Sequence, residues 1–299
     1  MSEPLLVRTR VELAAARTRM NGRVAVVMTM GALHRGHVEL IRAARARADQ
    51  VLVTIFVNPR QFGEGEDFDR YPRDLAADLA LCATEGVDVV FAPTVDEIYP
   101  ANEAIPTRHA GPLGARLEGE YRPGHFDGVL TVVDRLLELT DPDVAVFGEK
   151  DAQQLELIRR MVSELGRPVE LVDVAVVREG DGLARSSRNA FLTPPQRTAA
   201  AALFRALRTG AEQAGRGVDA VMAAAGEVLA GVPEVALDYL ALVDDRTWQA
   251  PDEDTRRARL LVAARFGTTR LIDNVTVDLG VGCVRPGAAR TDPSPSEGA

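Results

Sequence analysis

The chain has 299 residues, 46% hydrophobic and 26% charged, with a formal net charge of -9 and an isoelectric point near 5.1. A chain of this size buries a full core without disulfide or metal staples, and its acidity excludes a broad face for nucleic acid or anionic membrane. Two cysteines, Cys82 and Cys283, form no CxxC pair, which excludes a thiolate zinc site and fits a reducing cytoplasm; residues 1–9 lack a signal-peptide core, and no apolar run approaches the roughly 20 residues of a membrane span.

Short runs rich in Val and Ile at 23–30, 51–57, 87–92, 144–147 and 169–177 predict buried strands. Helical patterns separate them at 38–48, 74–85, 129–139 and 151–165. This alternation predicts an α/β fold with a doubly wound parallel sheet, whose ligands bind at the carboxyl ends of the strands. Near Thr193 the pattern changes to helices at 194–214 and 218–229, then strands at 235–243, 259–264 and 269–278. The expected organisation is a first domain over 1–184, a smaller α+β domain over 185–284, and a disordered Pro/Ser/Gly/Ala tail over 285–299.

Five segments carry chemistry. The first, Met28-Thr-Met-Gly-Ala-Leu-His34-Arg-Gly-His37, follows a strand and opens a helix. Its free N–H groups favour phosphate, Gly31 and Gly36 permit close approach, and two imidazoles three residues apart can face one ligand. A zinc pair is the competing reading, but no third ligand accompanies the histidines. The GxxxxGK[ST] and GxGxxG phosphate loops are absent. In the second segment, Phe56-Val-Asn-Pro-Arg-Gln-Phe62, Asn58 and Gln61 offer amides to a small polar substrate. The third, residues 117–128, reads by itself as an ordinary loop. The fourth, Phe147-Gly-Glu-Lys-Asp-Ala-Gln-Gln154, holds the chain's one lysine among 35 Lys and Arg residues. A lone Lys150 among arginines marks a place for a compact ammonium, unless it is an accident of composition. Gly148 permits a sharp turn, and Asp151 and Gln154 share a helix face. In the last segment Ser186, Ser187 and Arg188 offer a hydroxyl-and-guanidinium clamp for phosphates.

The HxGH segment resembles the HIGH signature of the nucleotidyltransferase superfamily, and the five segments in this order resemble the pantothenate synthetase (pantoate–β-alanine ligase) family. The resemblance implies a Rossmann-like first domain that binds ATP and pantoate. It implies condensation of pantoate with β-alanine through a pantoyl adenylate, releasing AMP and pyrophosphate, with Mg²⁺, in a cytoplasmic homodimer. ATP would meet Met30 to His37, Gly148, Glu149, Lys150, Asp151, Val177 and Arg185 to Arg188, with His37 as proton donor. Gln61 and Gln154 would hold pantoate. The chain departs from the family pattern at Arg35, Asp74 and Arg185, where Glu, Thr and Met are common. Arg35 and Asp74 are expected to face solvent, whereas Arg185 would add charge beside the nucleotide.

For the mechanism, His34, His37, Lys150 and Arg188 are expected to stabilise the phosphate chemistry, with Ser186 and Ser187 beside them. Met30, Val132 and Val133 are expected to form an apolar wall for pantoate, with Asn58 near it; Asp78 is the expected carboxylate for Mg²⁺, and loop 63–70 a lid. A mononucleotide adenylyltransferase shares the HxGH turn but has no use for two substrate glutamines. A class I tRNA synthetase would be longer and more basic, and an inactive nucleotide-binding module would not need Lys150 with both histidines.

Overall fold

The structure, a computed structural model, describes residues 3–280; Cys283 and the tail expected over 285–299 lie outside the described residues. In chain order the elements are β1 (Leu5–Val7), α1 (Arg10–Arg19), β2 (Val24–Thr29), α2 (Arg35–Arg45), β3 (Gln50–Ile55), α3 (Leu75–Thr84), β4 (Val89–Phe91), α4 (Val95–Ile98), α5 (Gly111–Gly114), α6 (Glu118–Tyr121) and α7 (His125–Thr140). There follow β5 (Val144–Gly148), α8 (Ala152–Glu164), β6 (Glu170–Val174), α9 (Pro194–Ala200), α10 (Ala202–Ala211), α11 (Val218–Ala230), β7 (Ala236–Asp244), β8 (Arg257–Phe266) and β9 (Thr269–Asp278).

Six parallel strands form one sheet in the order β1-β4-β3-β2-β5-β6. Successive side chains of a strand point to opposite faces, and here both faces are covered. Val24 and Val26 of β2 join one core with Leu130 and Ile158, while Ala25 and Val27 join another with Ile41 and Cys82. From β2 the chain winds through β3 to β4 on one side, then crosses to β5 and β6 on the other. That reversal opens a crevice beyond the carboxyl ends of β2 and β5, the place where such sheets bind ligands.

Strands β7, β8 and β9 form an antiparallel sheet with its own core, including Leu203, Leu207, Val221, Leu260 and Phe266. This sheet packs on the first part of the chain through Val243 and Leu261, joined by Trp248 in the connection between β7 and β8. Charge ties the two as well. Arg270 on β9 donates to both carboxylate oxygens of Glu118 on α6, at 2.6 and 2.8 Å, and to Asp238 at 2.6 Å.

Several elements differ from their expected extents. Strand β1 is too short and too exposed to show a period, and only the Thr9–Glu12 capping box marked α1. The predicted helix over 194–214 is two helices broken at Ala201. The strand predicted over 169–177 ends at Val174, because residues 175–177 leave the sheet to line the crevice.

Candidate active site

A cavity of about 240 Å³ occupies the crevice between the ends of β2 and β5. The loop leaving β2 forms its floor. Gly31 has φ +82°, a conformation that favours glycine. Asp78 on α3 holds the rest of this loop: Oδ2 accepts from the N–H of Ala32 at 3.0 Å and Oδ1 from that of Leu33 at 2.7 Å. Burial pushes the Asp78 carboxyl up, although those two N–H groups oppose it. Asp78 is 3% exposed and does not line the cavity. The expected Mg²⁺ ligand is therefore a loop anchor with both oxygens committed to backbone. Asp78→Ala leaves two donors unmet, at about 1–3 kcal/mol for each unsatisfied group, so urea unfolding should show a large loss of stability that is the same with or without Mg²⁺.

His34 caps α2 and His37 sits in its first turn, a reciprocal arrangement. Nδ1 of His34 accepts from the Gly36 N–H at 3.1 Å, and Nδ1 of His37 accepts from the His34 N–H at 3.2 Å. Each ring nitrogen that accepts carries no proton, so both neutral rings keep the hydrogen on Nε2. A Cβ on Gly36 would meet the His34 ring at 2.8 Å, which is why glycine stands between the two. The ring centroids are 4.2 Å apart. Burial, then Lys150 and Arg185, lowers the His34 pKa to about 4. Burial, then His34, lowers that of His37 to about 3. A proton donor at His37 is thus a neutral Nε2–H and not an imidazolium. The imidazole NMR signals of both residues should stay unshifted from pH 8 down to pH 5.5, where an ordinary histidine titrates near pH 6.5; a midpoint near 6.5 for either would contradict this. Because these sites stay neutral while the unfolded chain takes up protons, they should also weaken folding as pH falls below about 6.5.

Across the crevice the 3-10 turn Glu149–Asp151 carries Lys150 at the end of β5. Lys150, Asp151 and Gln154 all line the cavity. Nζ of Lys150 lies 3.7 Å from the Asp151 carboxylate. Burial pushes the Asp151 carboxyl up, but Lys150 and Arg188 outweigh it and hold it below the usual carboxylate range. The Glu149 side chain, expected beside ATP, lines a smaller cavity with Asp173, Asp245 and Arg259 and is absent from the lining of this one.

The deep end is apolar and amide-lined, with Met30, Phe56, Gln61, Val129, Val132 and Val133. Asn58, expected beside the substrate, is 1% exposed and fully engaged. Its Nδ2 donates to Gln61 Oε1 and to the Gly128 carbonyl, both at 3.1 Å, and its Oδ1 accepts from Tyr99 Oη at 3.0 Å. Asn58 therefore orients Gln61 instead of meeting a ligand. Of the cavity residues that escaped the sequence reading, Arg122 and His125 bear on Gln61. His125 Nδ1 donates to the Gln61 carbonyl at 2.8 Å, and Arg122 Nη1 donates to His125 Nε2 at 2.9 Å. Their i, i+3 spacing in the segment 117–128 was the available signal.

The remaining wall is Val174 to Val177 and Arg185 to Arg188. The Arg185 N–H donates to the Val177 carbonyl at 2.8 Å, and the Arg185 side chain pairs with Glu179 at 2.7 Å. Ser187 Oγ donates to the Ala32 carbonyl at 3.2 Å, joining this wall to the histidine loop. Arg188 makes a two-armed pair with Asp67, at 2.8 and 3.0 Å, and Arg122 makes one with Glu66, at 2.7 Å on each arm. Loop 63–70 is thus fastened over the rim by its own acids. Of the departures from the family pattern, Arg35 is exposed, and Asp74 caps α3 through the Ala77 N–H at 3.0 Å, as a threonine would.

The cavity thus gathers Met30, His34, Gly36, His37, Gln61, Val132, Val133, Gly148, Lys150, Asp151, Gln154, Val177 and Arg185 to Arg188, and leaves Gly31, Asn58, Asp78 and Glu149 off its lining. Among the described residues Arg122, Lys150, Arg185 and Arg188 line it with one carboxylate, Asp151, while Glu66, Glu179 and Asp67, which pair with the three arginines, stand off the lining. No helix among the described residues is long and apolar enough to cross a membrane.

A parallel sheet with a cationic crevice at its switch point and an HxGH turn in that crevice defines an α/β protein with a nucleotidyltransferase-like fold. A sequence model of the family described as pantoate-beta-alanine ligase matches residues 6–276. The chain is 58% identical over 277 residues to the pantothenate synthetase of Salinispora arenicola (strain CNS-205), covering 92% of this chain and 98% of that one. The crystal structure of pantothenate synthetase from Thermus thermophilus has a TM-score of 0.84 at 49% identity, covering 91% of this chain and 98% of that one. A pantoate-beta-alanine ligase from Francisella tularensis, complexed with beta-gamma ATP and beta-alanine, has a TM-score of 0.76 at 31% identity, covering 91% and 97%. The chain belongs to the pantoate-beta-alanine ligase family and is a ligase.

Proposed function

We propose that the protein condenses pantoate with β-alanine in two steps at this one cavity, using ATP and passing through a pantoyl adenylate. The observation that carries this reading is the cavity's polarity. Phosphate-binding groups gather at one end, His34, His37, Lys150 and Ser186 to Arg188, and an apolar, amide-lined chamber with Gln61 and Gln154 adjoins them. The Francisella tularensis ligase, complexed with beta-gamma ATP and beta-alanine, supports the nucleotide and the amine as substrates.

In the first step a pantoate carboxylate oxygen bonds to the α-phosphorus of ATP. The bond from that phosphorus to the bridging oxygen breaks, and pyrophosphate leaves with the electron pair. The Nε2–H groups of His34 and His37 donate to phosphate oxygens as charge develops, with no proton transferred from either ring. Lys150 supplies a full positive charge to the same oxygens. Arg188 exchanges Asp67 for phosphate, which frees loop 63–70 to resettle as a lid. Gln61 and Gln154 hold the pantoate hydroxyls while Met30, Val132 and Val133 enclose its dimethyl carbon. In the second step the free amine of β-alanine attacks the acyl carbon. AMP departs with the former carboxylate oxygen, and one amine proton is lost to solvent. Shielding of the adenylate from water keeps the two steps coupled.

Among the described residues no cluster of three or more His, Cys, Asp or Glu forms a metal cage. An Mg²⁺ ion would arrive on the triphosphate and need one or two carboxylates. Asp151, ionised and on the cavity wall, is the residue that would hold it, and the ion would supply charge neutralisation on the phosphates. In this reading residues 1–184 bind ATP and pantoate, residues 185–284 complete the nucleotide wall and brace it, and the enzyme works as a cytoplasmic homodimer. The test is product analysis with the purified protein, ATP, Mg²⁺, pantoate and β-alanine. Pantothenate and AMP in equal amounts are expected; ADP as the nucleotide product, or AMP formation indifferent to pantoate, would overturn the reading.

A further inference from the structure

The lysine turn has no cap of its own. Neither Glu149–Asp151 nor α8 has a side-chain hydrogen bond at its N-cap, and among the described residues Lys150 pairs with Asp151 alone, at 3.7 Å. An ammonium on a flexible stem is only as well placed as the backbone beneath it. That backbone is held from the far end of the chain. Asn274 on β9 is 2% exposed, and its Nδ2 donates to the carbonyls of Glu149 and Lys150 at 2.9 and 3.1 Å. Its Oδ1 accepts from Arg259 Nη1 at 2.6 Å, and Arg259 Nε donates to Asp245 at 2.7 Å. A guanidinium only donates, so Arg259 fixes which end of the amide faces the turn. The neighbouring Asp273 accepts from the Asn274 N–H at 2.8 Å and takes both arms of Arg178, at 2.6 and 3.0 Å. Arg178 directly follows the cavity wall 174–177. Two adjacent residues of β9 therefore pin two walls of the cavity, though neither lines it.

We infer that Asn274 is the positioning residue for Lys150, fixing the backbone from which the ammonium reaches into the cavity. It acts through the turn: it does not line the main cavity, and the adjoining cavity that it shares with Lys150, Asp151 and Gln154, of about 30 Å³, has room for little more than a water. The inference rests on the proposed chemistry only for the role of Lys150 in it. Asn274→Asp keeps the shape and strengthens the pair with Arg259, but it sets a carboxylate against two carbonyls and removes both donors.

Because Lys150 is the chain's one lysine, protein labelled with ¹³Cε-lysine gives a single lysine signal. The wild type should give one narrow line that moves when ATP is added. Asn274→Asp should broaden the line and bring it toward the position of free lysine, with the imidazole signals of His34 and His37 unmoved. A lysine line identical to wild type would overturn the inference. Where the carboxylate variant does not fold, Asn274→Ala removes the donors without adding charge and is read the same way. In kinetics, Asn274→Asp should lower kcat about tenfold or more with KM for ATP within about threefold, and should cost almost nothing further in a Lys150→Ala background. Additive losses would mean a general structural role and would overturn it. If the wild type makes no pantothenate, the proposed chemistry fails, while the lysine line still decides the role of Asn274.

Discussion

His37→Asn should lower the rate of AMP formation by roughly 10²–10³-fold, the range for losing one aligned donor at a developing charge. Asparagine places its Oδ1 near the position of the imidazole Nδ1, so it can still accept the His34 N–H and keep the start of α2 closed. What it lacks is the Nε2–H. The substitution thus separates the capping role of the ring from its donor role, which alanine would not do. The pKa of about 3 gives the loss a further signature. Since the ring acts neutral, raising or lowering pH between 6 and 8 should not rescue the variant or change the size of the defect. Rate measurements at three pH values with a parallel melting curve check this. A loss under about tenfold with an unchanged melting curve would mean that His37 serves the helix and not the phosphates.

Lys150→Arg should cost roughly 10²-fold or more, although it preserves charge. The turn Glu149–Asp151 is clamped by Asn274 and cannot retreat to make room for a longer, planar group. His34, His37 and Arg188 line the same cavity, with Arg122 and Arg185, so a fourth guanidinium would crowd a bound triphosphate and stack against the rings. A compact ammonium with rotating donors suits a ligand whose oxygens move as the bond to pyrophosphate lengthens. The comparison with Lys150→Met isolates charge from shape. Methionine should lose as much or more, and an arginine variant close to wild type would make the lone lysine an accident of composition.

The parts of the site that lie at strand ends were legible from sequence. The Val-rich runs placed β2 and β5 and therefore placed His34, His37 and Lys150 where a parallel sheet puts its ligands. The residues that hold those groups in place were not legible. Asp78 looks like any acid in the first turn of a helix, and its partners Ala32 and Leu33 are joined to it only by the packing of α3 beside the β2 loop. Asn58 carries the residue type of a substrate ligand, but its amide is consumed by neighbours that include Gly128 and Tyr99, both distant in sequence. Asn274 reads as one polar residue in a strand, and its task depends on a turn 124 residues away. Arg122 and His125 lie in a stretch with no period, where only spacing hinted at a shared direction. Resemblance to a family supplied the substrates, which spacing alone left open. Local chemistry was thus readable wherever one segment carried it, and hidden wherever it arose between segments.

In the proposed chemistry carboxyl activation comes before the amine and depends on the side chains of this cavity that would hold the triphosphate, His34, His37, Lys150 and Arg188. The most direct test is exchange of labelled pyrophosphate into ATP by the wild-type protein with pantoate and Mg²⁺ and no β-alanine. Attack on the α-phosphorus and departure of pyrophosphate need no amine, and the reverse reaction uses the same groups. Label should therefore enter ATP only when pantoate is present, net AMP release should stay slow, and His37→Asn should depress the exchange along with synthesis. Exchange that requires β-alanine, or that continues undiminished in His37→Asn while synthesis fails, would contradict it.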